Sequence, residues 1–588
     1  MKKDTKTTYM QIVSWILLFF YYLYALYPVL KSGYMYDDLI NYTVNGWCIN
    51  NDSSIWQLTK DIFLNWYHAN GRCFIFASYT YLLFSVVNQF VYKFLIVLMT
   101  FVNGVLLSKC LYKVTKSEKL MWLSMLFFPA LISLDCSWFN AMFGFQMLLH
   151  ICFLWVLLGV LFFIKYTETS RKSFQILSCV FWFIALGTYE ISYPFCILFF
   201  IVSLYAFKKF WPSVRKLIPQ AVIGVFWLII NIVARKNATS KYVGTSVSLG
   251  PECFTGFAKQ ISGSSSIANF ITLRELNKIQ DITSILSERW LYYVILFVFI
   301  TTGAILIDRF ATSSKKFSPH AILMALSIMV FPAILMAISE RYQSEITWRH
   351  GYLPAYISCW GITVCIAIFL TKLSNLKSIF AKSIKYLLIF LISIIGVINS
   401  MVGDITVSNA NKGMPAINDF VADACDTGLL DELTTDLYLI DGNNCWAEVD
   451  SHYAYLLNRK VQGVGWETLY IKNKDGSITH SDLFTEIAHN GYYYSYFVTG
   501  QFNVFGHCND IIIEENPNDT IRKSMYTSDF TIYIPNTFAA NTVGFIDRIG
   551  ATQAIPLQNC EIVNTSDTGT VYKYHHTESL DLNTISVY

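Results

Sequence analysis

The sequence predicts an α-helical membrane protein with many spans, followed by a C-terminal α/β domain. Hydrophobic residues make up 54% of the 588 residues and charged residues only 14%, whereas soluble domains carry about 25% charged residues. Apolar stretches of membrane-spanning length recur up to residue 402, after which short apolar runs alternate with turns rich in Gly, Asn, Asp and Thr. The net charge of +3 is too small to indicate nucleic acid binding.

A helix needs about twenty apolar residues to cross a hydrocarbon core of roughly 30 Å, and about eleven stretches reach or approach this length. They lie near residues 9–30, 88–108, 120–135, 142–164, 174–189, 191–207, 217–234, 289–307, 320–339, 353–371 and 384–402. Residues 74–87 are apolar but short, which favours a re-entrant or interfacial helix. The run 174–207 is broken by Gly187–Glu190 and by Pro194, which favours a tight helical hairpin.

Lysine and arginine predict the orientation, because cytoplasmic loops carry an excess of both. Basic and weakly charged loops alternate at every turn if residues 74–87 do not cross the membrane. This pattern predicts a multi-pass protein of the cell membrane with a cytoplasmic N-terminus and an extracytoplasmic C-terminus. Loops near residues 31–73, 235–288 and 340–352 then lie outside.

Two domains follow from this layout, a transmembrane domain over residues 1–402 and a soluble extracytoplasmic α/β domain over residues 403–588. Strands are expected in the second domain near residues 437–440, 510–513 and 530–534. Helices are expected near residues 418–425 and 452–458.

The first external loop carries the most informative acids, Asp37 and Asp38, directly after the first span. Two neighbouring carboxylates raise the pKa of one of them, which suits a general base. His68 and Arg72 in the same loop would add a proton carrier and a phosphate-binding fork. The alternative is that the acids only end the helix on its aqueous side and the loop is simply solvated.

Charged residues at two further positions are candidates for function. Glu190 stands between two apolar runs, and an ionisable group near membrane depth is a functional hypothesis by default; the alternative is a cap on a solvated hairpin turn. Arg341, Arg349 and His350 lie in a short external loop and would grip a phosphate. Pairing of these cations with Glu340 and Glu345 is the alternative.

The Asp-Asp pair after the first span, about eleven helices and the C-terminal external domain together resemble the GT-C superfamily of polytopic glycosyltransferases. Within it, the chain looks most like the bacterial O-antigen glucosyltransferase type and related uncharacterised membrane families. The short segments Tyr36-Asp37-Asp38, Asn70-Gly71-Arg72 and Thr188-Tyr189-Glu190-Ile191 carry the resemblance.

The resemblance implies transfer of a sugar from a polyprenyl-phosphate donor to an extracytoplasmic glycan or other cell-envelope acceptor. Asp37 is expected as the general base and Asp38 as its orienter or a metal contact, although the division of roles within the pair stays open. The lipid phosphate is expected near Arg72, Arg341, Arg349 and His350. The acid pair would suit Mg²⁺ or Mn²⁺, because both ions prefer oxygen ligands, but two carboxylates alone do not demand a metal.

Two other functions remain open. A lipid-linked polysaccharide polymerase or ligase shares the layout but would depend on arginines in large external loops. A transporter or flippase would need ionisable groups along a path through the spans, and few are visible in the predicted spans, Lys93 being an exception.

Overall fold

The computed structural model describes residues 5–240, 242–276, 279–313, 318–431, 437–441, 449–464, 468, 470–473, 477–482, 493–498, 500–507, 510–515 and 521–588. The chain forms two compact units. The first comprises Met1–Asp38 and Thr59–Asn411, and the second Leu39–Leu58 and Lys412–Tyr588. A helical first unit and a second unit built on a β-sheet confirm the predicted fold class.

The helices follow the apolar stretches of the sequence. In chain order they are α1 (Thr5–Ala25), α2 (Tyr27–Lys31), α3 (Asp37–Asn41), α4 (Val44–Asn50), α5 (Ile55–His68), α6 (Tyr79–Val86), α7 (Gln89–Thr115), α8 (Glu118–Leu131), α9 (Leu148–Thr169), α10 (Lys172–Thr188), α11 (Cys196–Phe207), α12 (Phe210–Lys216), α13 (Ile218–Asn237), α14 (Pro251–Gly263), α15 (Asn269–Leu276), α16 (Ile279–Phe310), α17 (Pro319–Ala337), α18 (Glu340–Glu345), α19 (Ala355–Ser374), α20 (Ile379–Asn411), α21 (Met414–Asp426) and α22 (Val449–Leu457).

Every predicted span coincides with a helix, although the helices differ in length. Among the described residues, eight helical segments are long and apolar enough to cross a membrane, and Gln11–Ala25 and Lys172–Thr188 are shorter apolar helices. Helix α8 has only 14 residues, which is about 21 Å at 1.5 Å per residue and less than the hydrocarbon thickness. The number of full-length spans is therefore approximate.

The breaks between helices have local causes. Helix α10 ends at Thr188 because Tyr189 is extended (φ −161°, ψ 139°), and a 3₁₀ turn over Glu190–Phe195 leads into α11. This confirms the predicted break within residues 174–207. The predicted span 142–164 begins only at Leu148, because the residues before it leave the helical conformation. Helix α6 has eight residues, too few to cross the membrane.

The last membrane helix continues past the predicted domain boundary at residue 402. Helix α20 runs to Asn411, and residues 403–407 within it are buried. Asp404 is paired there with the Arg289 guanidinium at 2.5 Å and accepts a hydrogen bond from the Tyr293 hydroxyl at 2.8 Å. Polar residues just after residue 402 thus make contacts within the first unit, which extends to Asn411.

The second unit contains a mixed sheet. Its strands are β1 (Leu437–Asp441), β2 (Val461–Val464), β5 (Tyr493–Val498), β6 (Phe502–His507), β7 (Asp510–Glu515), β8 (Ile521–Pro535), β9 (Thr542–Asp547), β10 (Thr552–Pro556), β11 (Glu561–Thr565) and β12 (Gly569–Val587), while β3 (Tyr470–Lys472) and β4 (Ile478–His480) form a separate hairpin. The order is β10-β9-β12-β8-β6-β5-β1-β2, with β11 beside β12 and β7 beside β8. Strand β1 is parallel to β2 and β5, and the other pairings are antiparallel.

Part of the loop that follows the first membrane helix belongs to this second unit. Helix α4 packs on α22, and a Cβ added at Gly46 would lie 1.8 Å from the Ser451 carbonyl oxygen, so only glycine permits this approach. The Tyr42 hydroxyl and the His452 Nδ1 atom are 2.6 Å apart. Strands at the three predicted positions, and helices α21 and α22 at the two predicted helical positions, agree with the sequence pattern.

Candidate active site

The two acids of the first loop are held at the start of a short helix. After α2 the chain is extended, Tyr36 takes a left-handed conformation (φ 56°), and α3 begins at Asp37. The turn directs the two neighbouring carboxylates to different surroundings.

Asp38 is completely buried. Its Oδ1 atom accepts a hydrogen bond from the Gln146 backbone N–H at 2.7 Å, and its Oδ2 atom accepts one from the Tyr92 hydroxyl at 2.8 Å. Burial raises the pKa of Asp38 to about 6, while the Lys93 charge and the two hydrogen bonds limit the rise. Both carboxylate oxygens of Asp38 are therefore engaged within the protein.

Asp37, in contrast, is only partly buried and lines a cavity of about 420 Å³. About half of the residues that line this cavity are aromatic, among them Trp66, Trp138, Tyr189 and Tyr242. Burial raises the pKa of Asp37 above the ordinary aspartate value. A carboxylate with a raised pKa at the edge of an aromatic cavity is suited to take up a proton.

Arg72 contributes a buried cation to the wall of the same cavity. Its Nε atom donates to Glu190 Oε1 at 3.0 Å, and its Nη2 atom donates to Glu190 Oε2 at 2.5 Å. The guanidinium also lies 4.1 Å from the ring centroid of Phe74 and 4.5 Å from that of Tyr242. This two-point pairing fixes the orientation of both charged groups.

The other predicted cations occupy different surroundings. Arg341 lines the Asp37 cavity, and its Nε atom donates to Glu345 Oε1 at 2.7 Å. Arg349 donates to both carboxylate oxygens of the buried Asp135, at 2.7 and 3.1 Å, and the His350 Nδ1 atom lies 3.5 Å from Asp135. The alternative, that these cations pair with acids of their own loop, thus holds for Arg341, which contacts Glu345. Arg349 instead pairs with Asp135, which lies outside that loop.

His68 stands at the C-terminal end of α5, where its carbonyl oxygen accepts a hydrogen bond from the Thr239 N–H at 3.0 Å. Its ring packs edge-on against Tyr67. The structure thus brings Asp37, Arg72 and Arg341 to one cavity, while Glu190 pairs with Arg72 and lines a second cavity. Asp38 is buried, Arg349 and His350 lie next to Asp135, and His68 lines neither the Asp37 cavity nor the cavity that Glu190 lines.

A second cavity, of about 360 Å³, shares Arg72, Tyr189 and Tyr342 with the first. Its wall is mostly apolar and includes Leu228 and Ile232 of α13 and Met336 of α17. Several other apolar residues of α13 are exposed, as expected for a helix that faces lipid.

Arg235 also lines this second cavity, at the last turn of α13, and has no carboxylate partner among the described residues. Sequence reasoning did not single out this residue. The signal was present, because Arg235 and Lys236 follow a predicted span on the side assigned to the exterior, where cations are uncommon.

A divalent metal does not fit the acid pair as a two-carboxylate site. Both carboxylate oxygens of the buried Asp38 already accept hydrogen bonds, from the Tyr92 hydroxyl and the Gln146 N–H. Of the two acids, only Asp37 lines the cavity. The described residues contain no group of three or more His, Cys, Asp and Glu side chains placed to hold a metal ion. No catalytic step is assigned to Mg²⁺ or Mn²⁺.

No protein-family model matches the sequence, and no curated protein is detectably similar to it. Among solved structures, the chain is similar to ArnT from Cupriavidus metallidurans bound to undecaprenyl phosphate. The match has 11% sequence identity and a TM-score of 0.38, and it covers 84% of this chain and 94% of that one.

The pair of the buried Arg72 with the partly exposed Glu190 yields a stability prediction. Glu190→Gln leaves the buried guanidinium without its carboxylate and is expected to cost about 3 kcal/mol or more. The matched control is Glu345→Gln, which loses the more exposed Arg341–Glu345 pair and is expected to cost less than about 1 kcal/mol. Thermal unfolding of both purified variants in detergent measures the difference. Equal, small shifts of the melting temperature would show that the Arg72–Glu190 pair is not structural.

Proposed function

We propose that the protein is an integral membrane glycosyltransferase that moves a sugar from a polyprenyl-phosphate donor to an extracytoplasmic glycan or other cell-envelope acceptor. The observation that carries this proposal is the position of Asp37. Asp37 lines a cavity together with aromatic residues and two arginines, and that cavity adjoins a mostly apolar one on a membrane helix. Such a donor has a hydrocarbon tail, an anionic phosphate and a polar sugar, and the two cavities offer matching surroundings for each.

Asp37 acts as the general base in the proposed reaction. Its carboxylate takes the proton from an acceptor hydroxyl as that oxygen attacks the anomeric carbon of the donor sugar. The bond between the anomeric carbon and the phosphate oxygen breaks, and polyprenyl phosphate leaves with the electron pair. A single displacement of this kind inverts the configuration at the anomeric carbon.

The arginines of the cavity stabilise the charge that develops on the departing phosphate. The Nε and Nη2 atoms of Arg72 both donate to the Glu190 carboxylate, and Arg72 lines both cavities. Its fixed orientation supports a role at the junction where sugar and phosphate meet. Arg341 supplies a second cation on the sugar side.

The second cavity is proposed to receive the phosphate and the first isoprene units of the carrier. Arg235 supplies a cation there without a carboxylate partner among the described residues, and Leu228, Ile232 and Met336 supply apolar wall. An ion pair between Arg235 and the phosphate would be formed only when the donor binds. This distinguishes Arg235 from Arg349, which is paired with Asp135 and lines neither of the two cavities.

The membrane orientation supports the same reaction. The cavities are lined by Tyr189, which follows α10, by the C-terminal ends of α13 and α17 and by the N-terminal end of α9. The distribution of Lys and Arg assigns these ends to the extracytoplasmic side. A site on that side, with a cytoplasmic N-terminus, fits an acceptor in the cell envelope.

The alternative functions receive less support. Lys93, an ionisable residue within a predicted span, donates to the Phe143 carbonyl oxygen at 2.7 Å and so stabilises a loop rather than a transport path. A polymerase or ligase would act on the same class of lipid-linked substrate. The two enzymes differ in their product, because a polymerase or ligase makes an extended glycan and the proposed enzyme adds a single sugar.

The division of roles between the acids gives the first functional prediction. Asp37→Asn removes the base and is expected to reduce transfer from a polyprenyl-phosphate hexose at least about 100-fold. Asp38→Asn retains an oxygen to accept the Gln146 N–H, so we expect activity within about tenfold of wild type. Labelled-sugar transfer by the purified proteins, with donor binding measured in parallel, tests both. Full loss in Asp38→Asn with activity retained in Asp37→Asn would reverse the assignment.

The carrier cavity gives the second prediction. Arg235→Ala removes a charge-assisted contact to phosphate and is expected to raise KM for the donor about tenfold or more. Lys236→Ala is the control, because the next residue on a helix points about 100° away and Lys236 does not line the cavity. Steady-state kinetics with a polyprenyl-phosphate hexose distinguish them. Similar KM values for Arg235→Ala and wild type would exclude Arg235 from phosphate binding.

A further inference from the structure

The segment before α9 has an uncommon backbone. Phe145, Gln146 and Met147 are three successive residues with positive φ, at 70°, 56° and 55°. L-residues other than glycine rarely adopt this left-handed conformation, and successive ones are rarer still. Such strain persists only where the surrounding contacts determine it, and it is concentrated at functional sites.

Buried contacts from α3 and α7 hold this segment. The Asp38 carboxylate, itself fully buried, accepts the Gln146 N–H at 2.7 Å and is fixed from its other side by the Tyr92 hydroxyl. The next residue on α7, Lys93, donates to the Phe143 carbonyl oxygen at 2.7 Å. The strained backbone is therefore clamped at positions 143 and 146.

The clamp sets the direction of the Gln146 side chain. The buried Thr80 hydroxyl donates to Gln146 Oε1 at 3.0 Å. With its oxygen engaged there, the amide has its NH2 group left to donate. Gln146 and Thr80 both line the Asp37 cavity.

We propose that Gln146 is a sugar-binding residue whose amide NH2 donates a hydrogen bond to a hydroxyl of the transferred sugar. The inference rests on the proposed glycosyltransferase activity and adds a determinant of sugar specificity to it. Asp38 and Thr80 act through Gln146 as positioning residues, the first on its backbone and the second on its amide oxygen. A site that hydrogen-bonds a substrate hydroxyl discriminates against the analogue that lacks it.

The test uses the full-length protein and a polyprenyl-phosphate hexose that the wild type transfers, together with its monodeoxy analogues. Wild type is expected to use one analogue about 3- to 10-fold less efficiently than the parent, as for one lost hydrogen bond. Gln146→Ala is expected to raise KM for the parent by a similar factor with little change in kcat, and to use that analogue as well as the parent. Thr80→Val is expected to lose part of this discrimination.

Two further variants keep the result interpretable. Gln146→Gly removes the side chain while suiting the left-handed backbone, so it is expected to fold and to lose the same discrimination. Ser78→Ala is the control, because Ser78 lines the cavity but its hydroxyl donates to the nearby Ile75 carbonyl oxygen at 2.8 Å. It is expected to discriminate as wild type does.

The proposal is overturned if the folded Gln146→Gly or Gln146→Ala protein still discriminates among the deoxy donors as wild type does. It is also overturned if the discrimination follows deoxy positions on the acceptor instead. If wild type transfers no sugar from any polyprenyl-phosphate donor, the glycosyltransferase assignment itself fails and the role of Gln146 fails with it.

Discussion

The buried carboxylate of Asp38 is the interaction on which the site depends. It joins the start of α3, the Tyr92 hydroxyl of α7 and the backbone of Gln146, three elements far apart in sequence. Burying a carboxylate is costly unless strong hydrogen bonds compensate, and the raised pKa of Asp38 reflects that cost. With Asp38 fixed, the preceding acid, Asp37, is set at the cavity. One acid of the pair is thus structural support for the other.

The arginines near the cavities divide according to whether a carboxylate already neutralises them. Arg72 has a two-point ion pair with Glu190, which fixes the wall that the two cavities share, and Arg349, which lines neither cavity, has one with Asp135. Arg235 has no such partner in the described parts of the chain and borders an apolar cavity on α13. A substrate with a hydrocarbon tail and an anionic phosphate needs an apolar surface with fixed side chains. It also needs a cation that no carboxylate of the protein already neutralises.

The sequence predicted the spans, the break near Glu190 and the α/β character of the C-terminal unit, because length, apolar content and turn residues are local properties. The pairings were not predictable, since Arg72 and Glu190 are 118 positions apart and Arg349 and Asp135 are 214 apart. Neither was the split between Asp37 and Asp38, which depends on a turn at Tyr36 that no glycine signals. Residues 39–58 join the second unit through a close backbone approach at Gly46, which composition does not reveal.

The pH dependence of kcat/KM for sugar transfer by the wild-type protein tests the central claim most directly. A general base must be ionised, and burial raises the pKa of Asp37, so activity should fall on the acid side with an apparent pKa above the ordinary aspartate value of about 3.9. Asp38→Asn should keep this acid limb, because the base is still present. Transfer that stays constant down to about pH 4, or an acid limb that disappears in Asp38→Asn, would contradict the assignment of Asp37 as the base.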